Sequence, residues 1–272
     1  MKKILTTLIL TASVCLSLIS CTGITSNNNS TTSTNNGETG STISEDLTIS
    51  AAASLKEAMA DIEPLFNQKY PNIHLTFNFG ASGSLQQQIE QGAPCDIFIS
   101  AGQSQMTSLI DKSLILDDSK KNLVQNSLVL VSTKDSTITS LDDIKSDKVK
   151  TIAVGEPSSV PAGKYADEVF TKLRVKDSIS SKLVFAKDVK EVLAWSSSGN
   201  SDVGFVYLSD AISNDSVKII ETISEDLHSP ITYPIGIIKS TKYNDASKEF
   251  EEFLFTYDAQ KIFEKYGYKK IS

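Results

Sequence analysis

The chain carries a single arginine, Arg174, and only two histidines, His74 and His228. With one guanidinium, a phosphate or sulfonate site built on arginine forks is excluded. A serine–histidine–acid hydrolase needs a histidine placed to activate its serine. His74 falls in an alternating strand pattern, His228 in a polar turn before Pro230, and Gly80-Ala81-Ser82-Gly83 lacks the Gly-x-Ser-x-Gly spacing of a nucleophile elbow. The phosphate-loop pattern Gly-x-x-x-x-Gly-Lys-Ser/Thr is absent, and no stretch gathers His, Cys or carboxylates at metal-ligand spacing. Cysteine is scarce too: Cys15, Cys21 and Cys95. Positive charge is outnumbered, with a formal net charge of -7. An acidic chain is a poor partner for nucleic acid or for an anionic membrane surface. Its net charge also repels an anionic ligand, so an anion site here has to be local and geometric.

The N-terminus is informative. Lys2 and Lys3 precede an apolar stretch, Ile4 to Ile19, that is too short and too mixed with small polar residues for a membrane span and fits a secretory leader. Leu18-Ile19-Ser20-Cys21 resembles a bacterial lipobox, in which the cysteine becomes the lipidated first residue. Residues 1–20 then form the signal peptide. Residues 21–45, rich in Ser, Thr, Asn and Gly, bury too little to fold and read as a flexible tether from Cys21. This places the folded part outside the cell membrane, on a lipid anchor. Cys95, alone in that folded part, precedes the apolar run Ile97-Phe98-Ile99 and reads as a buried, inert thiol.

From Asp46 onward, strand and helix patterns alternate. Leu47–Ala51, His74–Phe79, Asp96–Ile99 and Asn126–Ser132 read as strands, with helices after Ser54 and over Leu85–Gln91. Ser54 and Glu57 match a capping box, and Pro64 is expected to kink or interrupt the helix between them and Phe66. A second set follows. Its strands are Thr151–Val154, Leu183–Phe185, Val203–Tyr207, Val217–Ile220 and Ile235–Ile238. Its helices start at Pro161 and Asp188, and Ala246–Tyr266 closes the chain as helix. Such alternation implies an α/β fold with mostly parallel sheets covered on both faces, in two lobes.

Four stretches stand where helices begin, each at or near a strand end: Ala52–Glu57, Gly80–Ser84, Val160–Gly163 and Lys187–Glu191. A helix start leaves its first N–H groups unpaired at the positive end of the dipole, and such ends hold oxyanions without a cationic side chain. Several ends converging would make a pocket for a compact, multiply charged oxyanion.

The order and spacing of further segments carry a resemblance that covers the chain after the tether. They are Ala51-Ala52-Ala53-Ser54-Leu55, Gly80-Ala81-Ser82-Gly83-Ser84-Leu85, Gly92 to Ala101, Ala153 to Pro157, Val160 to Ala166, Gly204 to Ala211 and Ala259 to Gly267. Together they resemble the molybdate-binding proteins of bacterial ABC transporters, two-lobed extracytoplasmic solute-binding proteins. The resemblance implies a receptor, not an enzyme, with the ligand in the cleft between lobe I (46–126 and 236–272) and lobe II (127–235). It implies molybdate or tungstate as ligand, no cofactor, and an ABC permease with its cytoplasmic ATPase as partners of a monomer. The contacts it implies are Ser54 and Ser82 through hydroxyl and N–H, Ala162 and Val189 through backbone N–H, and Tyr207 through its hydroxyl. All five touch oxygens of the anion, none the metal. Gly83-Ser84 departs from the family pattern, with an expected effect on loop stiffness more than on ligand choice. Receptors for sulfate, phosphate or an organic solute, and a secreted enzyme, are the competing readings.

Overall fold

The computed structural model describes residues 44–271. The signal peptide, nearly all of the tether and the lipidation expected at Cys21 lie outside the described residues. The chain runs β1 (Glu45–Ala52), α1 (Lys56–Lys69), β2 (Ile73–Gly80), α2 (Ser82–Glu90), β3 (Ile97–Ile99), α3 (Gln103–Asp111) and β4 (Lys121–Gln125). It then crosses to β5 (Leu128–Thr133), β6 (Ile152–Gly155), α4 (Pro161–Lys172), α5 (Lys176–Ile179), β7 (Leu183–Ala186), α6 (Val189–Ser198), β8 (Val203–Tyr207), α7 (Leu208–Ile212) and β9 (Val217–Thr222). It returns as β10 (Thr232–Ile237), α8 (Asn244–Leu254), α9 (Tyr257–Lys265) and β11 (Lys269–Lys270).

Two sheets result, ordered β11-β4-β10-β3-β1-β2 and β7-β6-β8-β5-β9. Each has a parallel core, β3-β1-β2 in one and β7-β6-β8 in the other, built by helical crossovers. The strands beside it are antiparallel, so the sheets are mixed. The cause is the route between lobes: β4 feeds β5, and β9 feeds β10, through links that carry no long helix, and an antiparallel strand needs none. The boundary expected between residues 235 and 236 needs correction. It falls inside β10, which pairs with β3 and β4 of the first sheet from Thr232 onward, so the return crossing lies before that strand.

Burial follows the sheets. Leu47, Ile49 and Ala51 of β1 and all of Leu128–Val131 in β5 are inaccessible to solvent. Lobe I is packed by Phe66 edge-on to Phe250 and Phe253 at 5.1 and 5.3 Å between ring centroids. Lobe II uses the same device in Phe170 and Phe205, 5.0 Å apart. Truncating a ring such as Phe66 would cost about 3–5 kcal/mol through lost transfer energy and the cavity left behind.

Local signals hold in some places and yield in others. Pro161 opens α4 with its fixed φ, and Asp188 caps α6 by accepting Glu191 N–H at 2.8 Å. Glu191 reaches back to the N–H of Lys187, one residue short of the reciprocal bond of a capping box. Ser54 does not cap α1. A 3-10 turn over Ala53–Leu55 moves the N-cap to Leu55 and leaves the Ser54 hydroxyl free for a tertiary bond. α1 passes through Pro64 without interruption. The closing helical region is broken at Phe255–Thr256, where Thr256 caps α9.

Candidate functional site

The carboxyl ends of β1, β2, β6 and β8 face one cavity, and the segments that follow these strands supply most of its walls. Ala52, Ala53, Ser54, Gly80, Ala81, Ser82 and Ala101 come from lobe I; Val160, Pro161, Ala162, Val189 and Tyr207 come from lobe II. The cavity is tight, with about 10 Å³ of room for the centre of a water-sized sphere, and none of these lining residues is charged. All five sequence-predicted contact residues, Ser54, Ser82, Ala162, Val189 and Tyr207, are among them, each buried.

Their positions on the elements decide what each can offer. Ser82 is the first residue of α2, Ala162 the second of α4 and Val189 the first of α6. Backbone N–H groups at these positions have no acceptor within their own helix. Ala162 and Val189 add no polar side chain, so only the N–H is on offer. The seating of α4 is tight: a Cβ on Gly163 would lie 1.9 Å from the Gly155 carbonyl oxygen, so only glycine lets the helix start sit on the end of β6.

The hydroxyls differ in their commitments. Ser82 Oγ accepts the N–H of Ala101 at 2.9 Å, which leaves its proton free for another acceptor. Ser54 Oγ lies 2.8 Å from Tyr233 Oη. Tyr207 Oη is fully buried and has no hydrogen-bond partner. Burial pushes the Tyr207 phenol well above its ordinary range, with Tyr165 and Asp210 adding to the rise; the Tyr233 hydroxyl pulls slightly the other way without completing a hydrogen bond. Tyr207 is therefore a neutral phenol with a proton to donate. An orphaned buried hydroxyl costs stability, roughly 1–3 kcal/mol, and is explained most directly by a ligand that accepts from it.

The lobes touch around the cavity through backbone and side chain. Gly83 N–H donates to the Ser159 carbonyl at 2.9 Å, and the Tyr165 hydroxyl reaches the Ala101 carbonyl at 3.4 Å. The expectation for Gly83 is thereby sharpened. A Cβ at this position would stand 2.5 Å from the Ser159 carbonyl oxygen, so its glycine also governs lobe approach. Sequence reasoning also missed Lys190, whose ammonium lies 2.5 Å from Glu57 of lobe I and 2.8 Å from the buried Asp210. Asn126 and Tyr233, which flank the crossings between lobes, were missed as well. The partners of these groups are distant in sequence, so no local pattern announces them.

Two α/β lobes with a small cavity between them, walled by helix starts, define a solute-binding protein of the kind that serves bacterial importers. The chain belongs to the bacterial extracellular solute-binding proteins, whose family model matches residues 47–269. Within them it is a relative of the ModA proteins, the molybdate-binding receptors of ABC transporters, and is a receptor and not an enzyme. It is 38% identical over 229 residues to the molybdate-binding protein ModA of Escherichia coli, covering 82% of this chain and 88% of that one. It is 43% identical over 239 residues to YvgL of Bacillus subtilis, a provisionally assigned ABC transporter substrate-binding lipoprotein, covering 87% of this chain and 91% of the relative. A solved structure from Clostridium difficile, provisionally assigned as the substrate-binding domain of a molybdenum ABC transporter, is 61% identical. It superposes with a TM-score of 0.68 over 84% of this chain and all of that one.

Proposed function

We propose that the cavity binds molybdate, with tungstate as a near-isosteric second ligand, and that the protein delivers it to an ABC permease from a lipid anchor at Cys21. The observation that carries the reading is the Tyr207 hydroxyl, buried and unpartnered at a cavity otherwise walled by helix starts. A buried dianion is tolerated only when its oxygens are hydrogen-bonded throughout. Ser54, Ser82 and Tyr207 supply hydroxyls, and Ala162 and Val189 supply N–H groups. Charge-assisted bonds of this kind are worth roughly 1.5–3 kcal/mol each. The molybdenum is held through its oxygens with no protein–metal bond, and no further cofactor is involved. The ModA relatives support the choice of anion. The lipoprotein relative supports the anchor.

Selection against sulfate follows from size, because a smaller anion leaves some donors unpaired. The protein acts as a monomer that closes on its ligand by a hinge at the two crossings. Titration calorimetry of the 44–272 fragment with molybdate, tungstate, sulfate and phosphate tests this. Strong heats with the first two and little with the others are expected. Equal affinity for sulfate and molybdate would overturn the assignment.

A further inference from the structure

The hydrogen bond between Ser54 and Tyr233 continues, and its continuation has a direction. Tyr233 Oη also lies 3.3 Å from Asn126 Nδ2, and the same Nδ2 donates to Ser209 Oγ at 2.9 Å. The other end of the Asn126 amide, Oδ1, accepts the N–H of Ser127 at 2.8 Å. A backbone N–H can only donate, so it fixes which end of the amide is oxygen. The NH₂ end is thereby turned to Tyr233 and can only donate to it. Tyr233 Oη accepts that bond; either hydroxyl can donate in its 2.8 Å contact with Ser54 Oγ, and the order that continues the relay is Tyr233 donating to Ser54. In that order Ser54 Oγ accepts from Tyr233, and its single proton is left to face the cavity.

Every member of the chain is buried: Asn126 is 5% exposed, Tyr233 inaccessible and Ser54 2% exposed. Water therefore cannot scramble the order. Burial also pushes the Tyr233 phenol well above its ordinary range, with the neighbouring Tyr268 and Tyr207 next in effect, so the proton it passes on is retained. The hydroxyl of a serine can ordinarily donate or accept. In this order it is set as a donor by an amide that stands at the crossing between the lobes.

Resting on the oxyanion reading above, we infer that Asn126 and Tyr233 are positioning residues that lock Ser54 as a donor and so make the site reject tetrahedral anions that carry a proton. A proton on the anion must find an acceptor. A cavity whose hydroxyl and N–H groups all donate offers none, and the bound proton would face the Ser54 proton instead. Selectivity is thus partly electronic and separate from the size of the cavity.

The test is displacement of bound molybdate from the purified protein by selenate and by hydrogen arsenate, at a pH where the first has no proton and the second has one. The two are close in size and equal in charge. In the parent, selenate should displace at a lower concentration than hydrogen arsenate. Tyr233→Phe cuts the chain, and Asn126→Asp reverses it by presenting an acceptor to Tyr233. Each should shift the selenate-to-arsenate ratio toward arsenate by about five- to tenfold, the effect of one hydrogen bond gained or lost. The added charge of Asn126→Asp acts equally on both dianions and cancels in the ratio. A purely structural role would weaken both anions together. If either folded variant binds molybdate with the parental ratio, the relay is wrong. If the parent binds no molybdate, the oxyanion reading itself falls, and the relay with it.

Discussion

Lys190 joins the two lobes: its ammonium lies 2.5 Å from Glu57 Oε2 in the first turn of α1 and 2.8 Å from Asp210 Oδ1 after β8. Lys190 follows Val189 at the start of α6, and Glu57 follows Ser54 by three residues. The ion pair therefore fastens together the two helix starts that wall opposite sides of the cavity. Asp210 and Lys190 are both in lobe II, so the lysine keeps a partner when the lobes part. Glu57→Gln should leave the fold intact and weaken anion binding by about two- to fivefold, as for a partly exposed pair. Calorimetry at low and high salt checks this, with the difference from the parent shrinking as salt rises.

Asp210 gives a dependence on pH. Complete burial raises its carboxyl above the ordinary range, only partly offset by Lys190. The folded state then holds the proton more tightly than the unfolded state. The associated stability is present below the ordinary aspartate range and is lost as pH rises through the raised value. Thermal melts across the acidic range should show this decline in the parent, and Asp210→Asn should remove it. At the other end, desolvation disfavours the Lys190 cation, but Asp210 and Glu57 outweigh it and hold the lysine above its ordinary range. Lys190→Met should therefore abolish a further loss of stability at alkaline pH.

Tyr207→Phe should separate binding from folding. The hydroxyl has no partner within the protein, so deleting it relieves a buried unsatisfied group and leaves the ligand-free melting temperature unchanged or higher. Removing the donor should weaken molybdate about five- to a hundredfold in calorimetry. Ser54→Ala should weaken binding similarly but lower the ligand-free melting temperature, because it removes one of the two hydrogen-bond partners of the buried Tyr233 hydroxyl. Unchanged affinity in both variants would exclude the cavity as the site.

Ala162 separates backbone from side chain. Ala162→Gly keeps the N–H and should bind nearly as the parent does. Ala162→Pro deletes it at the second position of α4, where no helical bond is lost, and should bind far more weakly.

Gly83→Ala should oppose stability and affinity. Alanine in α2 favours the helix by up to about 1 kcal/mol over glycine. Its Cβ would meet the Ser159 carbonyl oxygen at 2.5 Å and hold the lobes apart. A higher ligand-free melting temperature with at least tenfold weaker binding is expected, a loss on the order of 1.4 kcal/mol.

The strands with continuous or alternating apolar runs were legible in the sequence, as were the starts of α4 and α6, because Pro161 and the Asp188–Glu191 pair act within one turn. β4 was not: Lys121-Asn122-Leu123-Val124-Gln125 has too little apolar content to stand out, and it becomes a strand only through β10 and β11. The capping role read for Ser54 was local reasoning defeated by a tertiary bond to a tyrosine 179 positions away. The gathering of Ser54, Ser82, Ala162, Val189 and Tyr207 followed from the family resemblance. Composition alone would have chosen neither the alanine nor the valine.

The bond from Gly83 N–H to the Ser159 carbonyl is made between two peptide units, with no side chain between them. Peptide units do not change rotamer, so this seam has one length when shut and cannot be shimmed by a flexing lysine or glutamine. The closed protein behaves as a fixed-gap gauge. An anion too large keeps the jaws from meeting, and one too small leaves them meeting around loose oxygens. On the proposed function, the surface offered to the permease is thereby a yes-or-no report of what was caught.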